Sequence, residues 1–211
     1  MKIVCINGSP KPSGSSSGVI LKELRDLLKG QNIKEISVRK LELTEEMKAA
    51  VMDSECLVFA FPLYVDSVPS HLTAVLQQME KLFQEPETDR MVYAVVNCGF
   101  YEGHQNHIAL NIMKCWCKKA GLSWGQGLGI GGGGMIPTLS DIPEGKGIKK
   151  DFSAALKVRK CSISTGRKAE DRFVSPGIPR IMYKLAGQMG WRKQIKENGL
   201  SVKELSRRIL K

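Results

Sequence analysis

Apolar and polar positions along the chain fall into two periods, which alternate. Ile3-Val4-Cys5-Ile6 is a short apolar run, followed by the hydroxyl-rich stretch Asn7-Gly8-Ser9-Pro10-Lys11-Pro12-Ser13-Gly14-Ser15-Ser16-Ser17-Gly18. Ile20, Leu24, Leu27 and Leu28 then recur at helical spacing, and Gly30 offers a left-handed stop. Ile36 and Val38 alternate with polar neighbours, as an edge strand does. Cys56 to Phe61 is continuously apolar, the mark of a central parallel strand. A helical stripe follows at Leu72, Val75, Leu76, Met79 and Phe83, then a buried strand from Met91 to Val96. Ile108, Ile112, Met113 and Trp116 mark a further helix, Leu122 to Ile130 a glycine-interrupted strand, and 151–161 a last core helix.

Five strands alternating with helices predict an α/β fold: a parallel sheet covered on both faces. Ligands of such sheets bind beyond the carboxyl ends of the strands, so the loops after strands one, three and four carry the chemistry. The first is rich in hydroxyls, contains Lys11 and opens a helix. Free N–H groups and the positive end of the helix dipole make that place an anion cradle. It is not a nucleoside-triphosphate loop, because no lysine follows Gly14 or Gly18 directly. The loop after strand three, Pro62-Leu63-Tyr64-Val65-Asp66-Ser67-Val68-Pro69, is apolar and aromatic where surface loops are polar. Asn97-Cys98-Gly99-Phe100-Tyr101-Glu102-Gly103, after strand four, adds two more aromatics beside glycines. Taken singly, the serines could merely cap a helix and the aromatics merely pack a loop base. Together the three loops describe a pocket for a planar ligand bearing a phosphate.

Over residues 1–135 the chain resembles the flavodoxin-like NAD(P)H-dependent oxidoreductases, the NADPH-dependent FMN reductase and quinone reductase group. The resemblance lies in Gly8-Ser9-Pro10-Lys11 with its serines, in Pro62-Leu63-Tyr64, and in Cys98-Gly99-Phe100-Tyr101-Glu102. It implies a flavodoxin-like, doubly wound, five-stranded parallel sheet in the order 2-1-3-4-5. Ser9, Lys11, Ser15, Ser16 and Ser17 would hold the FMN phosphate. Pro62, Leu63, Tyr64 and Val65 would line the isoalloxazine, and Asn97, Gly99, Phe100 and Tyr101 its pyrimidine side, with Glu102 at the rim. FMN is then the cofactor and NADPH or NADH the co-substrate. No side chain is named as catalytic, since the flavin carries the chemistry. A small-molecule electron acceptor and a homodimer complete the expectation. Lys11 and Ser15 stand where the family often has Arg and Asn, which removes a bidentate fork from the phosphate site.

The net charge of +11 brings nucleic acid into consideration, yet the chain carries no recognised nucleic-acid motif. From Thr165 onward, twelve Lys and Arg against four Asp and Glu supply +8 of that charge. Residues 1–164 are accordingly expected to form the FMN domain and 165–211 a basic helical extension. Ile178, Ile181, Met182, Leu185 and Met189 share one face of that extension, suited to docking on the core or on a dimer partner. A membrane-surface role is the rival reading of the same face. A flavodoxin-type carrier without NAD(P)H activity is the rival for the whole chain, although such carriers are acidic. The short run at Ile3–Ile6 is no signal peptide, and Leu57 to Val65 is too short to span a bilayer, so a cytoplasmic protein is expected. The six cysteines contain no CxxC pair and support neither a disulfide framework nor a metal site. Gly127-Leu128-Gly129-Ile130-Gly131-Gly132 matches the dinucleotide fingerprint but does not open a helix, so a mobile loop near the cofactor or an interface is expected there. His104 and His107, three apart at a helix start, are expected to be solvated rather than metal ligands.

Overall fold

The computed structural model describes residues 1–83, 90–139, 142, 145, 146 and 149–206. The strands are β1 Lys2–Asn7, β2 Asn32–Ser37, β3 Cys56–Pro62, β4 Met91–Asn97, β5 Ser123–Ile130 and β6 Arg172–Val174. The helices are α1 Ser16–Leu27, α2 Glu45–Met52, α3 Ser70–Leu82, α4 His107–Lys119, α5 Lys150–Ser164 and α6 Arg180–Glu197. All strand pairs are parallel, in the order β2-β1-β3-β4-β5-β6.

The period of two sends alternate side chains of the central strands to opposite faces. Val4, Ile6, Leu57, Phe59, Phe61, Val92, Ala94 and Val96 meet Leu72, Val75 and Met79 of α3 and Leu110, Met113 and Trp116 of α4. Ile3, Cys5, Cys56, Val58, Ala60, Tyr93 and Val95 meet Ile20, Leu21 and Leu24 of α1 and Phe152, Leu156 and Ile163 of α5. Helices on both faces explain why β3 and β4 read as unbroken apolar runs. Trp116 stands edge-on to Phe59, centroids 5.7 Å apart, while its Nε1 donates to the Leu76 carbonyl at 2.9 Å. Lys149 and Glu23 form an ion pair of 2.7 Å that ties the start of α5 to α1.

The sheet has six strands rather than five. β6 is only three residues long and partly exposed, so it has no apolar run to announce it. Its place is secured from outside the strand: the Asp171 carboxylate accepts from the Gly127 N–H at 2.5 Å and from Trp124 Nε1 at 3.1 Å. Helix α2 is a further element without a strong apolar stripe; Thr44 caps it by accepting from the Met47 N–H at 3.3 Å.

Contacts divide the chain into Met1–Gly177 and Ile178–Lys211. Residues 165–177, grouped with the extension by composition, lie with the first unit because β6 belongs to its sheet. The second unit consists of α6 and a short 3-10 turn, Val202–Ser206; no side chain of α6 is buried. Among the described residues no helix is long and apolar enough to cross a membrane.

Candidate functional site

β1 hands the chain to the serine loop at Gly8, whose N–H donates to the Ala60 carbonyl at 2.9 Å. A Cβ at Gly8 would meet Leu72 Cδ2 at 2.6 Å and Phe61 Cβ at 3.0 Å, so only glycine fits between β3 and α3. His71 Nε2 lies 3.1 Å from the Gly8 carbonyl and supports the same turn. The Asn7 side chain accepts from the Ser9 N–H at 3.1 Å, and Ser9 Oγ accepts from the Lys11 N–H at 3.3 Å. These short bonds curl the loop back over the strand end.

Ser15 caps α1, its Oγ accepting from the Gly18 N–H at 3.0 Å. Ser16 Oγ donates to the Gly133 carbonyl at 2.7 Å. Buried Asn97 donates from Nδ2 to Ser17 Oγ at 3.0 Å and to the Phe61 carbonyl at 3.1 Å. One carboxamide thus fastens the first turn of α1 to the ends of β3 and β4. The N–H groups of that turn have no acceptor within the helix, and the dipole adds positive potential there.

These elements border an open cleft of about 200 Å³ lined by Ser9, Lys11, Ser15, Ser16, Ser17, Pro62, Leu63, Tyr64, Asn97, Cys98, Gly99, Gly133 and Gly134. One end offers hydroxyls, a lysine and a helix N-terminus; the other offers Pro62, Leu63, Tyr64 and bare glycine backbone. A Cβ built on Gly99 or Gly134 would meet nothing within 4 Å, so both face open space. The donor set fits a phosphate and the far walls fit a flat ring, the two ends of FMN. Cys98 has its thiol pushed above the usual range by burial, partly offset by hydrogen bonds from its surroundings, so it is protonated at neutral pH.

The structure brings ten of the fourteen expected residues to the cleft: Ser9, Lys11, Ser15, Ser16, Ser17, Pro62, Leu63, Tyr64, Asn97 and Gly99. Val65, Phe100, Tyr101 and Glu102 are outside its lining. Val65 is 99% exposed at the tip of a tight turn, where Tyr64 and Ser67 exchange backbone hydrogen bonds of 3.1 and 3.0 Å. Val65 and Asp66 both have left-handed backbone, φ 49° and 56°, a costly conformation for a β-branched residue. Phe100 is 54% exposed. Cys98, Gly133 and Gly134 complete the lining and were not anticipated; the glycine run and the position of Cys98 between two expected residues were their signals.

The glycine run is tied down rather than mobile. The N–H groups of Gly131, Gly132 and Gly133 donate to the carbonyls of Val174, Phe100 and Cys98 at 2.8, 2.6 and 2.6 Å. Gly127 and Gly129 lie within β5, where a Cβ would strike Asp171 and Phe173, so close packing accounts for them. His104 and His107 are stacked, centroids 4.8 Å apart and planes 6° from parallel. In-plane nitrogen lone pairs of parallel rings do not converge on one ion. Among the described residues no group of three metal-ligating side chains forms.

A family model described as NADPH-dependent FMN reductase matches residues 1–117. No curated protein matches the chain. Among solved structures, an NADH:FMN oxidoreductase, EMOB, in its apo form is 16% identical with a TM-score of 0.59; the match covers 86% of this chain and 97% of that one. An NADPH-quinone reductase from P. pentosaceus is 15% identical with a TM-score of 0.53, over 76% of this chain and 95% of that one. The Trp repressor binding protein from Bacillus subtilis is 13% identical with a TM-score of 0.51, over 67% and 99%. At such identities these structures speak for the fold.

Proposed function

The chain belongs to the NADPH-dependent FMN reductase family and is an NAD(P)H-dependent FMN oxidoreductase, and on that premise we propose that its one cleft serves the nicotinamide donor and the electron acceptor in turn, a ping-pong scheme. The observation that carries this reading is the meeting of a capped, serine-rich α1 N-terminus with the apolar ends of β3 and β4 in a single open cleft. When bound, FMN supplies the redox chemistry; the protein supplies binding, orientation and electrostatics. Ser15, Ser16 and Ser17 with Lys11 and Ser9 hold the phosphate. Pro62, Leu63 and Tyr64 form the wall beside the ring, and Asn97 and Gly99 close its other edge. Val65, Phe100, Tyr101 and Glu102 act at the mouth, where exposed Phe100 and Val65 meet incoming molecules rather than the seated cofactor.

An open cleft with apolar walls suits a planar acceptor such as a quinone, a nitroaromatic or a free flavin. Initial rates of NADPH oxidation, with menadione varied against NADPH on FMN-loaded protein, test the scheme. Parallel double-reciprocal lines are expected. Intersecting lines would overturn the shared cleft, and absence of oxidation would favour a carrier. The exposed Ile181, Met182, Leu185 and Met189 of α6 support the further proposal of a homo-oligomer, which light scattering measures directly.

A further inference from the structure

β6 ends the sheet, and its outer edge has no strand beside it: among the described residues it pairs with β5 alone. Backbone groups of successive strand residues point to opposite sides. The Val174 carbonyl accepts from the Gly131 N–H at 2.8 Å, on the β5 side, so the N–H and C=O of Phe173 point outward. Side chains alternate as well. Phe173 packs with the α3 and α4 cluster, Val174 with the α1 and α5 cluster, and Arg172 shares the side of Val174. On that side a groove of about 480 Å³ runs between α5 and β6, bordered by Asp151, Val158, Arg172, Val174 and Ser175. α5 begins at the carboxyl end of the strands, where Phe152 lies with Ile130 and Val174 around a small apolar hollow. Asp151 therefore stands at the carboxyl end of the groove and Arg172 at its amino end. Both are exposed, and among the described residues neither has an ion-pair partner.

A single charge on an edge strand guards it against pairing. Opposite charges at the two ends of one groove do the reverse for an antiparallel copy, because each end then meets its complement. We infer that the occupant of this edge is a second copy of the chain, its β6 antiparallel to this one about a two-fold axis at Phe173. The two Phe173 residues exchange both of their outward N–H···O bonds, and Arg172 comes opposite the partner's Val174. Arg172 then reaches the carboxyl end of the facing groove, where the partner's Asp151 stands, and symmetry makes this ion pair twice. Two six-stranded sheets join edge to edge, with the exposed Val158 of each copy bordering the merged groove. The inference concerns this edge alone and is independent of both the flavin reading and the apolar face of α6.

The test is a charge swap in the full chain, followed by sedimentation equilibrium. Arg172→Glu and Asp151→Lys each set like charges together at two symmetric places, and each raises the dimer Kd about tenfold or more. The variant carrying both substitutions restores the pairs in reverse, and its Kd returns to within about threefold of wild type. Both side chains are exposed, so the fold is kept, and the recovery of the double variant excludes damage by either change alone. Hydrogen exchange gives a second readout on the strand itself: the Phe173 amide exchanges slowly in concentrated protein and rapidly after dilution to monomer. A wild-type chain that stays monomeric up to about 0.1 mM would overturn the inference. So would an association that both single reversals leave unchanged, or one that Leu185→Glu on α6 abolishes while the Phe173 amide exchanges rapidly at every concentration.

Discussion

Asn97→Ala is the substitution with the widest reach. Asn97 is 5% exposed at the end of β4, and its side chain bonds both Ser17 Oγ and the Phe61 carbonyl. Truncation leaves a buried carbonyl without its side-chain donor, at about 1–3 kcal/mol, and opens a small cavity costing about 1 kcal/mol more. A loss of about 2–4 kcal/mol in a domain of this size lowers Tm by about 5–15 °C. The same change releases the Ser17 hydroxyl from its fixed orientation, and FMN affinity falls about tenfold, one charge-assisted hydrogen bond's worth. Near-ultraviolet circular dichroism of the apoprotein gives Tm, and titration of flavin fluorescence gives Kd. Asn97→Asp sharpens the test: a carboxylate cannot donate to Phe61 and sets a negative charge beneath the phosphate, so FMN binding suffers more than with alanine. An alanine variant with Tm within about 1 °C of wild type and an unchanged Kd would refute the role given to this side chain.

Stability falls in alkali. Burial holds the thiols of Cys5 and Cys56 and the phenol of Tyr93 up at about 12, above their ordinary 9.0 and 10.0. The native state keeps these protons more tightly than the unfolded chain, so their contribution is complete below about pH 9 and drains away as pH rises toward 12. Tm followed from pH 7 upward should be level to about pH 9 and then decline; a level curve to pH 11 contradicts the burial. Thiol titration separates the cysteines: exposed Cys115 and Cys161 react at once in the native protein, while Cys5, Cys56 and Cys117 wait for unfolding. Cys98 reacts slowly, and more slowly still with FMN in the cleft; equal rates with and without FMN would remove it from the site. Gly131→Ala drives a methyl into the Tyr101 carbonyl and lowers Tm by more than about 5 °C, whereas Gly134→Ala meets nothing within 4 Å and leaves Tm unchanged.

What could be read from the sequence follows from what each residue meets. β3 and β4 were legible because both their faces are covered, which demands unbroken apolar runs. The serine loop was legible because its chemistry is local: strand, hydroxyls and helix start within a few residues. β6 was hidden because three residues set no period, and its position depends on an Asp171 carboxylate reaching Gly127, forty-four residues away. Gly133 and Gly134 join the cleft through Ser16 Oγ, a bond across 117 residues that no pattern reveals. Val65 and Phe100 lie in loops that border the cleft yet are exposed, Val65 because a two-residue left-handed turn inverts the direction of the chain after Tyr64.

The most direct measurement is an absorbance spectrum of protein saturated with FMN and desalted, followed by anaerobic NADPH. The account predicts a retained flavin band that bleaches on addition of the donor and returns on addition of menadione. A protein that retains no FMN, or retains it with a band that NADPH leaves unchanged, would contradict it.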